Sequence, residues 1–394
     1  MDAAQAQRAI ESLRKGIPPE GFVRHFTVGR RTEIDGLTRR LQAAEGTVCL
    51  LKANYGSGKT HLLKYIREEA LDRNYAVSTV TLDASSAVRF NRMDQILGAV
   101  CRGIEVPRAS GSKGLRPFFD YLVGCHNEQR DKPIWRGISN KGKWDFSEVL
   151  DSQAVFVALR AWATGMAETQ DLVEDWLSQP WEYRTQRKKL YIELVEGLRR
   201  FFRDPRPDRQ FYADEVFAFH TQGHAQSWAA LRDFDGLARA SGLNGMTILF
   251  DEYEDVISNL TNVAYQEAAF WNLFSFYSGK SFPGKTFYAV TPAFVEKCKR
   301  RLLQKGRWDF DFSRFDALPT FEMSPLTTKE LEELALRILE AHGIAYNWEP
   351  DLEMKASHLI AIVRKAASPQ VQDRTRYTIV SVVKAMDDLF QEAQ

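Results

Sequence analysis

The chain carries almost no net charge. Its 53 lysines and arginines face 52 aspartates and glutamates, a formal +1, so no global field draws it onto nucleic acid and any such contact has to be a local patch. Cysteine is scarce as well. Cys49, Cys101, Cys125 and Cys298 are scattered with no C-x-x-C pair, which argues against a zinc site or a disulfide framework and leaves reduced core thiols. No run approaches ~18 consecutive apolar residues, and the first residues mix Asp2, Gln5 and Arg8 with small side chains instead of an apolar leader. A soluble, cytoplasmic chain with no membrane span is expected. Internal repeats, low-complexity tracts and long charge runs are also missing. What remains is 394 residues of 44% hydrophobic content, enough for a sizeable core and, at about 150 residues each, two or three domains.

One stretch organises the rest. Thr47 to Leu51 is a β-branched and apolar run, Gly56 and Gly58 allow backbone angles that other residues resist, and Leu62, Leu63 and Ile66 recur at helical spacing. That is strand, loop, helix. Loops of this kind turn successive backbone N–H groups inward as an anion nest, and the helix N-terminus adds its positive dipole end. Lys59 is placed to reach the β- and γ-phosphates, and Thr60 offers a hydroxyl to Mg²⁺. Asn54, Tyr55, Gly56, Ser57, Gly58, Lys59, Thr60 and His61 are therefore the expected phosphate-binding residues of a Walker A motif. Ala53 stands where the pattern has its first glycine. Alanine is compatible with the loop if it sits at negative φ.

The flanking motifs extend this reading. A helix over residues 4–15, ended by Gly16 and Pro18-Pro19, precedes Val28, Gly29, Arg30 and Glu33. That Gly-Arg-x-x-Glu stretch lies where AAA+ ATPases pack a segment over the adenine base. Tyr75 to Leu82 reads as a neighbouring strand with Asp83 at its tip. Far downstream, Met246 to Phe250 is an apolar strand that delivers Asp251 to a Mg²⁺-bound water shell, and Glu252 is the expected base for the water that attacks the γ-phosphate. A further strand, Thr286 to Val290, ends in Thr291, the sensor-1 candidate. Phe321 begins a last short strand, and a helix capped at Thr327 or Thr328 opens a C-terminal helical lid. Arg374 and Arg376 stand where such lids carry a sensor-2 arginine. Between Thr291 and Phe321 the candidates for an arginine finger are Arg300, Arg301, Arg307 and Arg314, with Arg301 preferred.

Lys59 and Asp251 are much farther apart than a minimal core requires, so a large insertion is expected. Residues 105–225 carry Trp135, Trp144, Trp162, Trp176 and Trp181, with basic clusters at Arg184 to Lys189 and Arg199 to Arg209. Interleaved aromatic and basic side chains can stack bases and contact phosphates, yet tryptophans at helical spacing are more often core. His220 and His224 share a helical spacing, but no His-Glu-x-x-His pattern or nearby cysteine completes a metal set. The expected organisation is an ATPase core over 1–104 and 226–325, a mainly helical insertion at 105–225 and a helical lid at 326–394. The fold class is α/β, a parallel sheet flanked by helices.

The stretches Leu13-Arg-Lys-Gly-Ile-Pro-Pro-Glu-Gly-Phe, Phe26-Thr-Val-Gly-Arg, Tyr55-Gly-Ser-Gly-Lys-Thr-His and Leu249-Phe-Asp-Glu-Tyr-Glu together resemble the BREX-system ATP-binding protein family. Its members are AAA+ and STAND-type P-loop ATPases of bacterial phage-defence clusters, often encoded beside a helicase. The resemblance implies an ATPase working with DNA-processing, helicase-like protein partners; ATP and Mg²⁺ are the cofactors expected from the Walker motifs, while direct contact with DNA and a homo-oligomer are open expectations. Two functions follow as expectations: an ATPase coupled to DNA-processing partners, or a slow nucleotide-dependent assembly switch acting through proteins alone.

Overall fold

A computed structural model describes the chain apart from residues 44–45, 84–85, 87, 108, 110, 129–149, 180–224, 255–259, 350–351, 368–372 and 393–394. Six apolar runs form one sheet: β1 (Thr47–Lys52), β2 (Ala76–Thr81), β3 (Ile104–Glu105), β4 (Met246–Asp251), β5 (Lys285–Val290) and β6 (Thr320–Glu322). Their order is β3-β2-β4-β5-β1-β6, parallel except for the β2–β3 pair. Strand β5 thus separates β1 from β4, pairing Leu50 with Tyr288 on one side and Leu249 with Phe287 on the other. All six residues of β4 and of β5 are buried. Continuous hydrophobic runs of this kind belong to strands covered on both faces.

Alternation along the strands sorts the core into two layers. On one face Cys49, Leu51, Val77, Leu249, Phe287 and Ala289 meet Leu37 and Leu41 of α2 (Arg31–Gln42) and Leu62, Leu63 and Ile66 of α3 (Lys59–Asp72). On the other, Val48, Leu50, Val80, Ile248, Phe250 and Tyr288 meet α4 (Met93–Gly103), α8 (Ala225–Ala240), α9 (Val263–Tyr277) and α10 (Phe294–Gln304). Three helices of the 105–225 segment, α5 (Leu115–Glu128), α6 (Gln153–Trp162) and α7 (Ala167–Ser178), extend this second layer. Trp162 and Trp176 are almost fully enclosed there, and the Trp162 Nε1–H donates to Asp120 at 2.8 Å. Both are packing residues. Trp135, Trp144, Trp181, the two basic clusters and the His220/His224 pair lie outside the described residues.

A separate core joins the two ends of the chain. Helix α1 (Ala3–Arg14) contributes Ala9, Ile10 and Leu13 to a cluster with α12 (Thr328–Tyr346), α13 (Leu352–Ala366) and α14 (Arg374–Glu392); the short α11 (Ser313–Asp316) lies before β6. Asp2 and Thr327 each begin their helix with a reciprocal capping box. Arg14 donates to both carboxylate oxygens of Asp387 at 2.8 and 2.9 Å, and Asp387 also faces His342 Nε2 at 3.1 Å. The Trp348 Nε1–H donates to His342 Nδ1 at 2.9 Å, which leaves the ring proton on Nε2 for Asp387.

Candidate active site

The turn from β1 into α3 is held open by two glycines. Gly56 has φ +68 and Gly58, which precedes the first helical residue, has φ +95; side chains with a Cβ resist both values. Ala53 is not among the residues at positive φ. It is buried, and its N–H donates to Val290 O at 3.1 Å, tying the loop to β5. Lys59 then turns back over the loop. Its Nζ donates to Ala53 O at 3.1 Å and Asn54 O at 3.5 Å, and lies 4.7 Å from the ring centre of the exposed Tyr55.

Opposite it stands the end of β4. Asp251 is buried, and that burial pushes its carboxyl above the usual range against the pull of a hydrogen bond from the Thr60 side chain, the Glu252 N–H and the Lys59 charge. Thr60 and Asp251 are therefore in direct contact. Glu252 N–H donates to Asp251 Oδ1 at 3.0 Å, while the Glu252 residue itself is exposed, with φ +55. Non-glycine residues held there are strained and cluster at functional sites. Two residues on, Glu254 Oε1 lies 3.4 Å from Lys59 Nζ, both side chains about nine-tenths enclosed.

These groups form one end of a cavity of about 370 Å³, within the range of small-molecule sites. Its other end is apolar, built by Leu13, Ile17, Phe26, Val28, Leu326, Leu334 and Ile379. The wall thus combines the loop with both ends of the chain. Lys59, Thr60, Asp251, Glu252 and Glu254 all line the polar end.

The remaining sequence-derived candidates fall in several places. Arg30 lines the cavity but is buried and committed as a brace, donating to Glu33 Oε1 and Ser57 O, both at 3.0 Å, and to Ser324 O. Gly29, at φ +61, abuts Glu330 of α12, where an added Cβ would lie 2.1 Å from Oε1. His61 lines the cavity and pairs a ring nitrogen with Thr27 Oγ1 at 2.8 Å. Burial, with the Arg30 and Lys64 charges, pulls its pKa down to about 4. Arg376 is exposed at the cavity wall and donates to Lys15 O at 3.3 Å, whereas Arg374 donates to Leu326 O and Ala367 O. Both arginines belong to the first turn of α14.

Thr291 follows β5 directly. It is buried, and its Oγ1 has no hydrogen-bond partner among the described residues, but it is not part of the cavity lining. Arg301 is half-buried on α10 and is likewise outside the lining; Arg300 beside it is exposed. Glu254 and Asp373 were not among the sequence-derived candidates. A Cβ at Gly56 would lie 2.5 Å from Asp373 Cα, so the start of α14 sits against the loop. The acidic run from Asp251 through Glu254 was the available signal for Glu254.

The donor set fits a divalent ion and a polyphosphate. Mg²⁺ keeps several waters and takes one or two protein oxygens plus phosphate oxygens, which the Thr60 hydroxyl and Asp251 carboxylate would provide. Among the described residues no group of three or more His, Cys, Asp or Glu side chains forms a metal cage of its own.

Residues 1–131 match the family model described as BREX system ATP-binding protein BrxC/D. The match spans α1, the 53–60 loop and α3, and supports the resemblance to the BREX ATP-binding family. No curated protein and no solved structure matches the chain.

Proposed function

We propose, starting from the match of the chain's N-terminal third to BREX ATP-binding proteins, that this protein binds Mg-ATP in the cavity between the 53–60 loop and the C-terminal helices and hydrolyses it. The observation that carries the reading is the meeting of Lys59, Thr60 and Asp251 at the polar end of a cavity whose other end is apolar. A nucleotide has that same polarity. The loop N–H groups and the α3 N-terminus would receive the phosphates, Lys59 would neutralise them, and Thr60 and Asp251 would hold the ion. The apolar residues around Phe26, Val28 and Ile379 would enclose the base, and Arg376 on the cavity wall is the proposed sensor-2 arginine.

Hydrolysis needs a water activated in line with the γ-phosphate. Glu252 is the proposed base, and Thr291, with a buried hydroxyl at the end of β5 that has no hydrogen-bond partner among the described residues, is the proposed polar sensor. The additional strand between β1 and β4 supports the AAA+ form of the core, with α12 to α14 as its lid and Arg301 directed to a second copy. By the family resemblance, the cycle would be coupled to DNA-processing partners of a phage-defence system.

Glu252→Gln removes the base while leaving the loop and Asp251 in place. Phosphate release in saturating Mg-ATP should fall by about 10² or more, with nucleotide binding retained. Hydrolysis at the wild-type rate would reject Glu252 as the base. A second reading, a slow switch that gates assembly, draws support from the Lys59–Glu254 ion pair, because a lysine already neutralised within its own chain slows engagement of phosphate.

A further inference from the structure

We infer that Glu254 is a γ-phosphate-discriminating residue, a resident carboxylate that a nucleoside triphosphate must displace from Lys59 and a diphosphate need not. The inference rests on the nucleotide reading of the cavity and adds to it a residue that sets which nucleotide is held.

Three observations carry it. First, Lys59 Nζ is fully engaged by the chain itself: Ala53 O at 3.1 Å, Asn54 O at 3.5 Å and Glu254 Oε1 at 3.4 Å. Second, the two carbonyls and the carboxylate come from different sides. Ala53 and Asn54 belong to the loop, whereas Glu254 comes from the turn after β4, three residues beyond Asp251. Asp251 is hydrogen-bonded by Thr60, and these two residues would hold the ion. Glu254 reaches Lys59 from the same turn as Asp251, so on the nucleotide reading it would meet the ammonium from the side of the ion and the terminal phosphate. Third, both members of the pair are about nine-tenths enclosed, so water and salt screen them little.

A loop lysine of this kind contacts the β- and γ-phosphates. With a diphosphate, the β group occupies the N–H nest and Lys59 can keep Glu254. A γ group brings two further negative oxygens onto the same ammonium, against an enclosed carboxylate. Like charges sharing one site disfavour each other, so Glu254 has to leave. Rejection by a misplaced charge is a general means of discriminating related ligands.

Titration calorimetry on the full chain with Mg²⁺, using ADP and the non-hydrolysable β,γ-imido analogue of ATP, tests this. Wild type should bind ADP more tightly than the analogue. Glu254→Gln should raise analogue affinity by about tenfold or more while ADP changes by less than about threefold, the asymmetry expected when a repelling charge is removed from one phosphate position. Glu254→Asp keeps the charge on a shorter stem and should move the affinity ratio in the same direction by less; if Glu254→Gln fails to fold, this variant decides alone. Equal changes for both nucleotides, an unchanged ratio, or weaker analogue binding would overturn the inference and leave the nucleotide reading intact. If neither nucleotide binds wild type, or both bind Lys59→Ala equally well, the nucleotide reading itself fails and the inference with it.

Discussion

His61 shows how much a single side chain at the cavity is asked to do. It lines the site, bridges to Thr27 of the N-terminal segment, and is held neutral, its pKa drawn from 6.5 down to about 4 by burial and the neighbouring Arg30 and Lys64 charges. A histidine whose folded pKa is depressed contributes stability above its unfolded pKa and loses it as pH falls toward the folded value. Asp233, raised to about 7 by burial, acts in the opposite sense over the same range, so wild type alone is uninformative. The difference in urea midpoint between wild type and His61→Gln isolates the term. That difference should shrink from pH 7 to pH 4, and a constant difference would show that His61 is not held neutral. At this scale the loop was legible because Gly56, Gly58, Lys59 and Thr60 fall within one five-residue stretch. Glu254 was not, because its ion pair with Lys59 depends on the turn after β4 folding back onto a lysine from a distant part of the chain.

Among the elements, the positions of several strands along the chain and the start of α12 were readable from apolar runs and capping residues: Met246 to Phe250, Thr286 to Val290, Thr327 with Glu330. The partner of α1 was not. Its buried stripe of Ala6, Ala9, Ile10 and Leu13 marks an amphipathic helix, yet periodicity does not say which surface receives it. The answer lies at the other end of the chain, where Arg14 reaches Asp387. The same end reaches the loop through Asp373 against Gly56. Gly56→Ala should destabilise for two reasons, a positive φ costing roughly 1–2 kcal/mol and an overlap with the Asp373 backbone. Gly279, at φ +67 with nothing within 4 Å of an added Cβ, provides the control for the first alone. Denaturant melts should show Gly56→Ala losing clearly more than Gly279→Ala. Equal losses would mean that α14 does not rest on the loop.

For the molecule as a whole, two cores share one cavity: the sheet and its helices supply the polar end, and α1 with the C-terminal helices supplies most of the apolar end. None of the helices among the described residues is long and apolar enough to cross a membrane. With net charge near zero, contact with DNA would depend on local patches. The central claim is that the 53–60 loop binds Mg-ATP through Lys59, and a ligand that binds only the folded chain raises its stability in proportion to occupancy. At a hundred times Kd wild type should gain about 2.7 kcal/mol. The most direct measurement is the nucleotide-dependent rise in thermal midpoint for wild type and Lys59→Ala, each compared with its own nucleotide-free melt. A clear rise in wild type and almost none in Lys59→Ala is the predicted result; an equal rise in both would contradict the assignment.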